Sequence, residues 1–280
     1  MPASKEQKRG KCIFCGGLGL SKEHIWSDWL SDRLGPAPHH TNIRGWPKWV
    51  PGVRKQLTFT QTAKRMQGPM HQRKIRKVCV TCNTGWMKGA VDRAKPFVER
   101  FIEWSIAELP IGDARPLVPW ISIATIMAEF TAPDSICFPE QDRKVLYRTK
   151  HPPAHWTIAV GRYSGTGLWK TQGYRHRPAM YRLIADDRKS VSGLITHQIT
   201  TYTIGNLVVY ACSTTNRSMV SSLRKVHPKL STIFPYELAD PGRVLPAISD
   251  RDMEAISEEF QHAFFNHPKF NFIPAPEGLR

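Results

Sequence analysis

Four cysteines in two C-x-x-C pairs, Cys12/Cys15 and Cys79/Cys82, are the residues whose type and spacing speak most directly of chemistry. A two-residue gap lets both thiolates of a pair turn toward one ion, and two such pairs supply the four soft ligands of a tetrahedral zinc site. The pairs are separated by 63 residues, so a long insertion must lie between the halves of the knuckle. A redox pair is the competing reading, but it comes with a thioredoxin-like βαβ context that is absent here. The opening MPASKEQKRG has no apolar stretch of the export type, which favours metal over disulfides and a cytoplasmic setting. Cys137 and Cys212, in SICF and VVYACS, read as buried thiols.

Charge points to the partner. The chain of 280 residues carries a net +17, and residues 1–100 hold 20 Lys/Arg against 6 Asp/Glu, which is +14 of that excess. From Arg33 through Val91 there is no acidic residue among 12 Lys/Arg. A solvated basic face is the plain explanation of such a run, but one without local acidic partners suits a phosphate backbone better. Nucleic acid is therefore the expected partner. Arg73, Lys74, Arg76 and Lys77, beside the second cysteine pair, are the candidate phosphate contacts. No run of 18 apolar residues occurs, so no membrane span is expected.

Two further signals lie beside the cysteines: SKEHIW at 21–26 and CNTGWM at 82–87. The ordered set C-x-x-C, Glu-His-Ile, C-x-x-C-Asn resembles the zinc-bound ββα-metal type of HNH endonuclease, over residues 12 to about 93. The resemblance implies a metal-dependent endonuclease that hydrolyses phosphodiester bonds. His24 would be the general base, Glu23 would hold a catalytic Mg²⁺ or Mn²⁺, and Asn83 would be a further ligand of that metal or a loop-orienting residue. An imidazole, with an ordinary pKa near ~6.5, suits proton abstraction at neutral pH. A carboxylate and an amide oxygen leave a hard cation room for water and phosphate. The chain departs from the family pattern in carrying Glu where Asp is usual and no histidine from Thr84 to Ala94. Asp92, nine residues past Asn83, stands as a third-ligand candidate. The alternative is a non-catalytic, zinc-dependent nucleic-acid-binding protein. His39, His40 and His71 can reach the site on the inserted segment, but each also reads as an ordinary loop histidine.

The elements that must position these groups follow from pattern. Ser21 reads as the N-cap of a helix from about Lys22 to Leu34, with Ile25, Trp26, Trp29 and Leu30 or Leu34 forming one apolar stripe. Residues 35–53 are rich in Pro and Gly and read as irregular. Strands are expected at Gln56–Thr62 and Arg73–Val80, then a helix from Asn83 to a break before Pro96, where Trp86 packs it onto the domain. Helices at Phe97–Leu109 and Leu117–Phe130 follow, then strands at His155–Tyr163, Leu194–Ile204 and Leu207–Ser213. Gly205-Asn206 is a hairpin turn signal, and Ser249 with Asp252 opens a final helix from Asp250 to about Phe264. The expected fold is α+β, with a zinc-stapled ββα-metal (HNH) domain at 1–100 and an α+β domain at 101–280.

Overall fold

The computed structural model describes residues 10–35, 39–49, 57–68, 70–103, 112–131, 136–167, 169–184, 195–265 and 271–274. The fold is mixed α+β. In chain order the N-terminal part contains β1 (Leu20–His24), α1 (Leu30–Leu34), β2 (His39–Trp49), β3 (Leu57–Gln67) and β4 (Lys74–Cys79). A helical run follows, as α2 (Val80–Cys82), a π-helical turn (Asn83–Met87) and α3 (Lys88–Glu103). β1 pairs antiparallel with β4, and β2 pairs antiparallel with β3.

The remainder is built on a sheet. Its parts are α4 (Leu117–Glu129), α5 (Glu140–Thr149), β5 (Trp156–Tyr163), α6 (Trp169–Gln172), β6 (Tyr174–Ile184), β7 (Ile195–Ile204) and β8 (Leu207–Thr214). Then come α7 (Arg217–Leu223), β9 (Ser231–Phe234), β10 (Ala247–Ile248), α8 (Asp250–Phe265) and β11 (Asn271–Pro274). The seven strands run in the order β10-β5-β8-β7-β6-β11, with β9 also paired to β5.

The period of two along a strand sorts side chains between two cores. Ile158 and Val160 of β5 and Leu207, Val209 and Ala211 of β8 face one core, which also takes in α4, α3 and the cysteine knuckle. Ala159, Val208, Tyr210 and Cys212 face the other, closed by Met219 and Leu223 of α7 and Met253 and Ile256 of α8. Both sheet faces are covered. Every residue of α4 is buried, as its all-round apolar sequence requires of a helix enclosed on all sides. The first core joins residues from both sides of position 100, from Phe14 and Val78 to Trp120 and Val209.

Much of the expected C-terminal pattern is present. Gly205 takes φ +57° in the two-residue turn between β7 and β8, the left-handed conformation such a turn requires. Ser249 and Asp252 cap α8 reciprocally: Asp252 N–H donates to Ser249 Oγ (3.3 Å), and Ser249 N–H donates to Asp252 Oδ2 (2.8 Å). Cys137 and Cys212 are buried thiols, 4% and 1% exposed.

Three expectations are corrected. Residues 22–24 are strand rather than helix, because β4 offers them a ladder and Ser27, at φ +95°, turns the chain before a helix could continue. Only Leu30–Leu34 is helical, although Ile25, Trp26 and Leu30 are buried as the stripe required. The segment read as irregular holds β2, paired residue for residue with β3 from His39↔Gln67 to Trp49↔Leu57. Among the described residues the ribbon has two strands, so β2 is an edge strand, the kind of strand in which a proline such as Pro47 is tolerated. Pro96 lies inside α3 on an exposed turn and does not end the helix.

Candidate metal centre and adjoining cleft

The two C-x-x-C pairs meet. The Sγ atoms of Cys12, Cys15, Cys79 and Cys82 all lie within 4.8 Å of one another, with Cys15 Sγ and Cys79 Sγ 3.5 Å apart. Zn–S bonds of ~2.3 Å at tetrahedral angles place sulfurs about 3.8 Å apart, so this set can close on one zinc ion. The backbone makes the pocket: Cys12 N–H donates to Gly17 O at 2.8 Å, and Gly16 N–H donates to Cys12 O at 2.9 Å. Gly16 and Gly19 adopt φ +76° and +78°, a turn that a side chain would strain. Gly17 N–H donates to Cys15 Sγ (3.3 Å) and Cys82 N–H to Cys79 Sγ (3.4 Å), contacts that favour thiolates. Burial raises the Cys15 and Cys82 thiols. At Cys12 burial also opposes ionisation, but the backbone donors of Cys15, Cys79 and Phe14 prevail and lower its pKa.

The second pair sits where β4 becomes helix, and this carries Asn83 to the head of the helical run. β1 lies alongside, with Leu20 opposite Cys79, Ser21 opposite Val78, Glu23 opposite Ile75 and His24 opposite Lys74. Between Ser21 and Glu23 the register shifts by one residue, with the extra residue on β4. Such a bulge re-aims the side chains beyond it. Asn83 Nδ2 donates to Ser21 Oγ at 3.4 Å, tying the helix head to β1.

Glu23, His24 and Asn83 line one cleft of about 510 Å³, together with Asp28, Asp32, Lys88, Asp92, Trp120 and Met127. α4 forms the facing wall. Trp120 Nε1 donates to Ser27 Oγ at 3.1 Å and fastens that wall to the turn after β1. Burial raises the Glu23 carboxyl pKa, against hydrogen bonds from the Asn83 side chain and the His24 backbone. Burial lowers His24, partly offset by Asp28, whose Oδ1 lies 3.0 Å from His24 Nε2. Asp28 is the group that the sequence reading missed. It stands four residues past His24, but only the turn at Ser27 brings it back to the ring.

The other candidates are placed as follows. Asp92 reaches the cleft, but its Oδ2 accepts from Lys88 Nζ at 2.7 Å. Lys74, Arg76 and Lys77 are exposed on β4, while Arg73, just before it, is half-buried. Arg76 donates to Leu20 O at 3.3 Å, and the Lys77 ammonium lies 5.7 Å from the Phe130 ring centre. His71 and His40 are buried rather than surface-loop residues, 5% and 2% exposed. Burial lowers the His71 pKa, and the nearby His24 and His40 rings add to that effect. The side chain of His39 lies outside the described residues. Trp86 packs edge-on to Phe14 (5.3 Å) and Tyr147 (6.2 Å), so it fixes the helix as expected.

Comparison of the chain with family models, curated proteins and solved structures finds no match. Among the described residues, no helix is long and apolar enough to cross a membrane.

Proposed function

We propose that this protein is a metal-dependent endonuclease of the HNH type acting on DNA, with its site in the cleft at residues 23, 24 and 83. The observation that carries the reading is the placement of Glu23, His24 and Asn83 on one cleft, with Asn83 hydrogen-bonded to β1 beside the four-cysteine cluster. β1 supplies Glu23 and His24, and the helical run that follows β4 supplies Asn83.

His24 is the general base. Asp28 engages its Nε2 at 3.0 Å and holds the ring orientation. Asn83 directs its Nδ2 to Ser21 and to the Glu23 carboxylate, which leaves the amide oxygen as the atom suited to a hard cation. Glu23 is the carboxylate of that pair. A Mg²⁺ or Mn²⁺ held by these two oxygens would neutralise charge developing at the phosphate. Lys74 stands directly opposite His24 on the neighbouring strand, and with Arg76 and Lys77 it offers the duplex backbone an exposed positive edge. Zinc takes no part in the chemistry; it fixes the helix head against β1.

The test is nicking of supercoiled plasmid by zinc-loaded protein with Mg²⁺ or Mn²⁺. Wild type should cut, and His24→Ala should lower the rate by about 10²–10⁴-fold, the usual weight of a general base, with DNA affinity unchanged. Salt-sensitive binding without cleavage under any metal would replace this reading with a non-catalytic nucleic-acid-binding protein.

A further inference from the structure

Away from the cleft, three chemistry-bearing side chains meet in the interior. Glu129 ends α4, Cys137 lies in the segment before α5, and His176 is on β6. One ligand atom from each lies within 4.8 Å of the others. The Glu129 and His176 side chains are 0% and 6% exposed, and Cys137 is 4% exposed. Burying such groups costs free energy unless each finds a partner.

The hydrogen bonds of the histidine and the carboxylate define which of their atoms face the centre, while the Cys137 thiol donates to His197 O at 3.7 Å. Thr200 donates its hydroxyl to Gln198 Oε1 at 2.7 Å, so its oxygen is the acceptor for His176 Nδ1 at 2.8 Å. The ring proton is thereby placed on Nδ1, and Nε2 points its lone pair inward. Among the described residues, Nε2 has no hydrogen-bond partner. Its nearest carboxylate oxygen, Glu129 Oε1, is 3.6 Å away, beyond hydrogen-bond range. The carboxylate itself is held by backbone donors: Cys137 N–H and Phe138 N–H both reach Oε1, the latter at 3.1 Å.

We propose that Glu129, Cys137 and His176 bind a second zinc ion. Zn–N and Zn–O bonds of ~2.0–2.2 Å at tetrahedral angles separate an oxygen and a nitrogen ligand by about 3.3–3.5 Å. The 3.6 Å between Oε1 and Nε2 is long for a hydrogen bond and close to that ligand-to-ligand edge. The donor set of carboxylate, thiolate and imidazole is one that zinc accepts, and the two anions would balance the dication. A histidine whose other nitrogen is fixed by a hydroxyl, and a carboxylate fixed by two amides, are the outer contacts that a metal site needs. Three protein ligands leave the fourth tetrahedral position to a water. The ion would pin the end of α4 and the start of α5 to β6, beneath Phe138, whose ring stacks on Trp156 at 4.6 Å.

The experiment counts metals on the full chain. Protein purified with zinc should carry about two zinc ions per chain. Zinc-edge X-ray absorption should then report about 2.5 sulfurs per zinc, the mean of a four-thiolate and a one-thiolate site. His176→Gln and Cys137→Ala should each lower the count to about one. In cobalt-loaded protein, Cys137→Ala should remove about one-fifth of the thiolate-to-cobalt absorption, one of five sulfur ligands. A wild-type count of one zinc with four sulfurs overturns the proposal without any variant. So does a count of two that survives both substitutions. A core pair sharing a proton in place of metal would give the first of these results.

Discussion

Replacing Cys79 with serine tests how far the N-terminal fold depends on a metal at the four-cysteine cluster. Cys79 is 3% exposed, places its Sγ 3.5 Å from that of Cys15, and accepts the N–H of Cys82 at the start of the helical run. The elements it staples are short: β1 has five residues, β4 six, and among the described residues their ladder has no third strand. A two-stranded ladder of that length is marginal by itself. Structural zinc contributes roughly 10–16 kcal/mol in small zinc-binding domains, as much as the ~5–15 kcal/mol by which a whole domain is stable. Loss of the ion should therefore release this segment outright. Cys15 is exposed and caps no helix, so Cys15→Ser should weaken zinc but leave more structure than Cys79→Ser. The second core, formed between β5 and α8, contains no residue before position 159 and should persist in both. The assay is zinc analysis with hydrogen exchange resolved by peptide. Cys79→Ser should lose zinc and the protection of residues 20–24 and 74–79, while β7 and β8 keep theirs. A zinc-free Cys79→Ser protein with wild-type protection in β1 and β4 would refute the reasoning.

Two other expectations follow from burial. His197 lies in β7, and burial drives its pKa down to about 3, so the unfolded chain, with a histidine pKa near ~6.5, takes up that proton first as the pH falls. Its stability is complete above pH ~6.5 and drains away toward the folded pKa, a loss of about 2 kcal/mol between pH 7 and pH 5. His197→Leu should remove that much of the acid sensitivity in urea midpoints; an unchanged pH profile would show that the ring is not buried neutral. A Cβ at Gly161 of β5 would fall on Ile248 Cδ1 and lie 2.9 Å from Leu230 Cδ2. Gly161→Ala should cost about 1–3 kcal/mol by overpacking and lower the melting temperature by several degrees. An unshifted melt would mean that β10 gives way without cost.

What could be read from the residues and what could not divide along a physical line. The cysteine pairs were legible because zinc chemistry fixes both residue type and spacing, and the β7–β8 hairpin was legible because its turn needs a residue that tolerates φ +57°. The Ser249/Asp252 cap was legible for the same reason: the interaction is local. The helix read across residues 22–34 failed because its evidence was an apolar stripe, which says that Ile25, Trp26 and Leu30 are buried but not what backbone buries them. The strand there is imposed by β4, fifty or more residues away, and β4 is held in place by the same knuckle. The misreading also hid Asp28. On a helix it would sit one turn from His24 as a common surface pair, whereas at the turn of a strand it faces the ring across the mouth of a cleft. Glu129, Cys137 and His176 had no sequence signal at all, since their spacings of eight and thirty-nine residues match no ligand pattern. They meet only because α4 and β6 pack on the same core. Local chemistry thus named the four-cysteine cluster, and only tertiary packing could reveal the cleft wall and the second cluster.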